Sequence, residues 1–200
     1  MMKDNTNQIY NKYILEKSAD FEKVGWGSPE SQIKRFDIFS EIGDLNNCSI
    51  LDIGCGTGAF YKYLNSKYDD IYYTGTDINE NMVKIAKETF SEATFLCTDI
   101  LNNAENKIKN KKFDYVFLSG ALNLSINNHE LIVNNMMRKM FDLSNIGIAL
   151  NFLSIYADFF SEGECYLDPG KVISEALLID RKATLRHDYM PHDFTIYIFK

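Results

Sequence analysis

The sequence has 200 residues, of which 46% are hydrophobic, 14% aromatic and 24% charged; this is enough apolar material for one packed core and too little polar bias for a disordered chain. Its 21 basic and 28 acidic side chains leave a formal net charge of -7, so there is no basic surplus to neutralise phosphates and nucleic acid is not an expected partner. The start, MMKDNTNQIYNKY, lacks a signal-like apolar segment, and no later run approaches the roughly 20 apolar residues that span a bilayer; the expectation is a cytoplasmic chain with no membrane partner.

From about Asn5 to Ile42 the pattern is helical, with Ile9, Tyr13 and Ile14 on one side and Ile33, Phe36 and Ile38 later. The stretch Gly25 to Pro29 interrupts it. Residues 1–44 are read as an N-terminal helical cap or lid, and residues 45–200 as the α/β core of the same single domain. Strand-like runs then alternate with helical patterns: CSILDIG with a helix from about Ala59 to Lys67, IYYTGTD with one from about Asn79 to Phe90, and ATFLCTD. They continue with FDYVFLSG, a helix from about Asn128 to Leu143, and IGIALNFLS. Such alternation specifies parallel βαβ units. FDYVFLSG is apolar at nearly every position, as a central strand covered on both faces must be. At the end ATLRHDY and FTIYIFK are separated by only Met190 to Asp193, a connection so short that the two must be antiparallel. The result is a seven-stranded, mostly parallel sheet with one reversed strand near the C-terminus.

The cysteines, Cys48, Cys55, Cys97 and Cys165, make no pair of metal-ligand spacing, and His129, His187 and His192 lie far from most of them; no metal site is expected. The run Lys107, Lys109, Lys111, Lys112 precedes the fourth strand and reads as a solvated turn.

Chemistry concentrates in Leu51-Asp52-Ile53-Gly54-Cys55-Gly56-Thr57-Gly58. Glycines between a strand and a helix let the backbone approach a ligand, and the helix N-terminus presents free N–H groups. Asp77 ends the second strand 19 residues after Gly58, where a carboxylate can accept both hydroxyls of a ribose. Asp99 ends the third strand, within reach of an adenine amino group; its other reading is a cap for the segment that follows.

These residues resemble the class I S-adenosylmethionine (SAM) dependent methyltransferases. LDIGCGTG looks like their first motif, GTDIN their ribose-binding acidic motif, CTDIL their adenine-binding motif and FDYVFLSGAL their fourth-strand motif, over about residues 48 to 152. The flanks, VGWGSPESQIKRF and LRHDYMPHDFTIYIFK, look similar to small bacterial methyltransferases of unassigned substrate. The resemblance implies a Rossmann-like doubly wound sheet, SAM as cofactor and S-adenosylhomocysteine as product. It implies a cofactor site made of Asp52, Gly54, Cys55, Gly56, Gly58, Asp77, Ile78, Met82, Asp99, Ile100, Ser119 and Gly120. In it Met82 lies against adenine or simply in the core, and Ser119 and Gly120 hold the methionyl ammonium or form a plain turn. Arg35 clamps the methionyl carboxylate or is a solvated helix arginine, and Trp26, in the Gly25-Trp26-Gly27 hinge, folds over the ligand or anchors the core. A nicotinamide-binding Rossmann oxidoreductase is the rival reading, opposed by the Gly-x-Gly-x-Gly spacing and by Asp52, whose negative charge would meet a pyrophosphate. A SAM-binding module without turnover is a further alternative.

Methyl transfer from a sulfonium is an in-line displacement that alignment and water exclusion can accelerate without a dedicated base. If an amine or alcohol accepts the methyl group, its proton must leave, and His187, His192 and Tyr156, expected near the carboxyl rim of the sheet, are the candidate catalytic residues. Tyr156, Asp158, Phe159 and Phe160 are expected to wall an acceptor pocket. Ser119-Gly120-Ala121-Leu122 carries no Asp/Asn-Pro-Pro-aromatic element, and the chain carries no Pro-Cys nucleophile. With the acidic charge, this points to a small-molecule acceptor.

Overall fold

The computed structural model describes residues 2–102, 108 and 111–200; Lys107 and Lys109 of the predicted lysine turn lie outside them. The helical start resolves into α1 (Met2–Glu16), a single turn α2 (Asp20–Lys23) and α3 (Pro29–Ser40). The break falls where the glycines are. Ser28 then starts α3 by accepting the N–H of Ser31 at 3.1 Å, with Pro29 in the first turn, where its missing donor costs nothing.

The core follows as β1 (Ser49–Ile53), α4 (Ala59–Asn65), β2 (Tyr72–Asp77), α5 (Glu80–Thr89), β3 (Thr94–Cys97), β4 (Phe113–Leu118), α6 (His129–Leu143), β5 (Ser144–Ser154), β6 (Tyr166–Leu167), α7 (Pro169–Leu177), β7 (Ala183–Met190) and β8 (Asp193–Phe199). The strands lie in the order β3-β2-β1-β4-β5-β8-β7. All neighbours from β3 to β5 are parallel, whereas β8 runs antiparallel to both β5 and β7. β8 is therefore the one reversed strand of the main path, as the short Met190–Asp193 connection requires. The strand β6, only two residues long, pairs with β5 outside that path.

Side chains alternate across the sheet and build two cores. One holds Leu51, Val116, Leu118, Leu150, Phe194 and Ile196 with Val133, Met137 and Met140 of α6 and Val172 and Ala176 of α7. The other holds Ile50, Tyr73, Phe95, Phe117 and Tyr197 with Phe36 and Phe39 of α3, Phe60 of α4 and Val83 of α5. Here Phe60 packs edge-on to Phe117 at 5.1 Å and Phe39 stacks on Phe117 at 5.5 Å. Such ring geometry adds stabilisation beyond the buried area.

The pattern 169–177 is a helix that the sequence reading did not assign. Its signals are local: Asp168 accepts the Gly170 N–H at 2.8 Å as N-cap, Pro169 opens the first turn, and Val172 and Ala176 share one buried face. Asp168→Ala is expected to cost about 1 kcal/mol, read as a lower urea midpoint with an unchanged slope.

No described helix is long and apolar enough to cross a membrane, and no group of three or more metal-ligating side chains converges among the described residues.

Candidate functional site

The strand order turns back at β1 and β4, the position where open α/β sheets leave a crevice at their carboxyl ends. A cavity of about 240 Å³ lies there. The ends of four strands supply its walls: Asp52 in β1 with Gly54, Cys55 and Gly56 after it, Asp77 closing β2 with Ile78 after it, Thr98, Asp99 and Ile100 after β3, and Ser119, Gly120 and Ala121 after β4. Met82 of α5 adds an apolar wall and is 2% exposed. Leu122, Ile126, Ile132 and Met136 close one side.

The glycine loop is held from both directions. Gly54 and Cys55 donate their N–H groups to Thr76 O at 2.7 and 3.0 Å. Gly56 donates to Asp77 Oδ2 at 3.0 Å, and Asn79 donates its backbone N–H to Asp77 Oδ1 at 2.8 Å. A carboxylate offers about four lone-pair sites in all, so Asp77 can tether the loop and still accept from a ligand. Burial raises the Asp77 carboxyl above its ordinary range, opposed by these backbone donors. Asp52 is 2% exposed and accepts the Tyr73 hydroxyl at 2.6 Å. Burial pushes its carboxyl up to about 7, the Tyr73 bond working against the shift and Asp77 adding to it. Burial likewise raises the Cys55 thiol, followed by the nearby Asp77 and Asp52.

Asp99 takes both of its readings at once. Its Oδ1 accepts the N–H groups of Leu101 and Asn102 at 3.0 and 3.1 Å, which fixes the turn after β3, while the residue also lines the cavity. Two buried hydroxyls, Thr98 Oγ1 and Ser119 Oγ, have no protein partner although their residues line the same space. Of the buried side-chain polar atoms without a partner among the described residues, these two are the ones whose residues line the cavity.

The N-terminal segment roofs the cavity with Thr6 and Tyr10 of α1, Val24, Trp26, Gln32 and Phe36. Asn11 Oδ1 accepts from the side-chain amides of Asn79 and Asn81 at 3.0 and 2.9 Å, which docks α1 on the start of α5. Val24 lies so close that a Cβ on Gly56, itself at φ +53, would come within 2.7 Å of it. Gly120, at φ +68, has Trp26 Cη2 at 2.6 Å from the same hypothetical position. These two glycines are where loop and roof meet without room for a side chain.

Thr6, Tyr10 and Val24 were absent from the predicted set, because nothing local in α1 tells which strand end it covers. Gly58 and Arg35, both predicted as cofactor residues, are not on the cavity wall. Gly58, at φ +89, caps α4. Arg35 is 3% exposed and pairs with Asp193 Oδ2 while donating to Ser31 O at 2.8 Å, so both terminal nitrogens are engaged within the protein.

The predicted catalytic residues also sit elsewhere. Tyr156 is 64% exposed and its ring lies 6.1 Å from that of His187, which meets Phe194 at 6.2 Å. His192 packs on Phe159 at 5.5 Å, with Nε2 3.6 Å from the Asp193 carboxylate. None of His187, His192, Tyr156, Asp158, Phe159 or Phe160 lines the cavity. The cause is the sheet order: His187 lies in β7, three strands beyond β4, and His192 in the turn between β7 and β8, while Tyr156, Phe159 and Phe160 after β5 are exposed.

Residues 50–142 match a family model described as a methyltransferase domain. The chain is 27% identical over 162 residues to Rv1506c of Mycobacterium tuberculosis, a provisionally named methyltransferase, covering 76% of this chain and 93% of that protein. It is 27% identical over 157 residues to 235L of invertebrate iridescent virus 6, named in the same provisional way; there the match covers 67% of this chain and spans little more than half, 56%, of the viral protein. Among solved structures it is similar to magnesium protoporphyrin IX methyltransferase from Synechocystis with bound S-adenosylhomocysteine, at TM-score 0.69 and 14% identity, each chain covered completely.

Proposed function

We propose that this chain, a class I SAM-dependent methyltransferase by its domain and its sheet order, uses the cavity at the β1–β4 crevice to bind SAM and transfers its methyl group to a small-molecule O- or N-nucleophile. The observation that carries the reading is Asp77: a half-buried carboxylate at the end of β2 that tethers the glycine loop and faces a roofed cavity. The orphan hydroxyls of Thr98 and Ser119 fit the same occupant, since a nucleoside with an amino-acid tail offers partners at both ends of such a space. Residues 1–44 serve as the cap and residues 45–200 as the core of one domain.

The assignments follow from position. Asp77 accepts the ribose hydroxyls, and Asp99 with the backbone at Ile100 takes the adenine edge, with Ile78 and Met82 as its apolar walls. Gly54, Cys55 and Gly56 let the backbone approach the tail, and Asp52 with Ser119 and Gly120 takes its ammonium. When bound, SAM supplies a sulfonium methyl group with a good leaving group. The protein's share is alignment and a dry site, which the roof of α1 and Trp26 provides. With His187, His192 and Tyr156 outside the cavity, this reading assigns them no proton transfer. An acceptor of small size fits the net charge of -7, which offers nothing to a polyanion.

Calorimetry against SAM, S-adenosylhomocysteine and NAD tests the binding. SAM and S-adenosylhomocysteine are expected to bind and NAD to give no heat; preference for NAD would overturn the reading. Turnover is read as S-adenosylhomocysteine released over a panel of small amines, alcohols and carboxylates. Binding without release from any of them would favour a non-catalytic module.

A further inference from the structure

We propose that Arg35 and Asp193 are positioning residues that act through Trp26: their buried pair clamps the chain's single tryptophan onto the Gly120 turn, and this clamp closes the roof over the amino-acid end of the donor. The proposal rests on the SAM reading above and gives Arg35 a task other than touching the donor.

The Trp26 N–H donates to Phe21 O at 2.9 Å, which ties the backbone and leaves the direction of the ring to its side-chain neighbours. The residue stands between Gly25, at φ +84, and Gly27, where added Cβ atoms would meet nothing closer than 3.8 Å and nothing within 4 Å respectively. Glycines restrict the chain least of all residues, so the position of the ring must be imposed by side chains. Arg35 imposes it. Its guanidinium carbon lies 4.2 Å from the centroid of the Trp26 ring, a cation–π contact that strengthens as water is excluded. The guanidinium is itself immobile, because Nη2 is paired with Asp193 at the start of β8 and Nη1 is held by Ser31 O.

The opposite support is equally fixed. The six-membered edge of Trp26 reaches Gly120, whose N–H is accepted by Asn151 Oδ1 at 2.9 Å. Asn151 and Asp193 are both fully buried, on the paired strands β5 and β8. Trp26 is thus braced by two strands at once, through Arg35 above and through the Gly120 turn below. A buried ion pair is an expensive way to gain stability, because removing two charges from water offsets their attraction. Here it places a planar cation against the Trp26 ring, where the arginine fork presents a flat face that a lysine lacks.

The tryptophan is its own reporter, since no other contributes to the emission. Arg35→Lys retains a charge for Asp193 and removes the planar contact. It is expected to red-shift the emission of the ligand-free protein and to weaken S-adenosylhomocysteine about tenfold by calorimetry, the scale of one desolvated cation–π contact. Trp26→Leu is expected to lose the same factor, and Trp26→Leu/Arg35→Lys no more than either alone, because both changes remove one device. Arg35→Met/Asp193→Leu removes the two charges together and provides a second folded route to a released Trp26, checked by circular dichroism. An unchanged emission in the folded single and paired variants would overturn the proposal. So would losses that multiply in Trp26→Leu/Arg35→Lys, which would mean that Arg35 reaches the donor independently. A wild-type protein that ignores S-adenosylhomocysteine would refute the SAM reading, and the ligand-free emission would still decide whether the clamp exists.

Discussion

Asp77→Ala is expected to weaken SAM and S-adenosylhomocysteine by roughly tenfold to a hundredfold at least, the worth of about 1.5 to 3 kcal/mol for hydrogen bonds to a charged acceptor. The structure adds a second loss. Asp77 also accepts the N–H groups of Gly56 and Asn79, and truncation leaves both donors unpaired, so the glycine loop loses its tether to the end of β2 and thermal stability falls with affinity. Asp77→Asn separates the two effects. Its one carbonyl oxygen can keep one of the backbone donors, while its amide group faces the other and repels it. The expected order of affinity is wild type, then Asn, then Ala. Lys171→Ala, on the solvent face of α7 with its side chain 73% exposed, should change nothing. Equal affinity of wild type and a folded Asp77→Ala protein would remove the ribose assignment.

The contrast between Asp77 and Arg35 shows what a linear sequence exposes. The placement of Asp77, Asp99 and Ser119 on the cavity wall was legible because each stands at the end of the apolar run of its own strand, and a parallel sheet delivers every such position to the same edge. The strand content of FDYVFLSG and the reversal at Met190–Asp193 were legible for the same reason: they depend on neighbours in the chain. Arg35 meets a partner 158 residues away, and no local pattern marks Asp193 as that partner. Tyr10 and Thr6 belong to a helix whose seat over the cavity is decided by Asn11 meeting Asn79 and Asn81, again a contact between distant segments. His187, His192 and Tyr156, expected near the carboxyl rim, do not line the cavity for a similar reason. The carboxyl edge was identified, but the sideways distance of β7 from the crevice is set by sheet order, with β8 inserted between β5 and β7. Helix α7 is a different kind of miss, since Asp168, Pro169 and the spacing of Val172 and Ala176 were all present in the sequence.

Asp52 makes the largest pH-dependent prediction. Its carboxyl is raised to about 7, first by burial, from an unfolded value of about 3.9. Between these values the folded protein holds a proton that the unfolded chain has released. Stability from this group is therefore complete below about pH 4 and is lost as the pH rises through 7. At about 1.36 kcal/mol per pH unit for one proton, the loss between pH 5 and pH 7 is about 2 to 3 kcal/mol. Asp52→Asn cannot titrate and keeps an oxygen for the Tyr73 hydroxyl. Wild type and variant are thus expected to draw apart as the pH rises, the variant becoming the more stable by a urea midpoint shift on the order of 1 M at pH 8 relative to the difference at pH 5. Of the groups facing Asp52, Tyr73 and Cys55 are pushed upward and stay neutral over this range, while Asp77 couples to the Asp52 charge, so the comparison reads the titration of the pair. In the proposed site the donor would reverse the balance. An ammonium group beside Asp52 favours its charged form, so affinity of the wild type for SAM should rise from pH 5 to pH 8 with release of a proton, visible as a buffer-dependent calorimetric heat, while that of Asp52→Asn should stay nearly flat. Parallel pH profiles for the two proteins would mean that Asp52 is already charged when buried and that its hydrogen bond from Tyr73 suffices to hold it so.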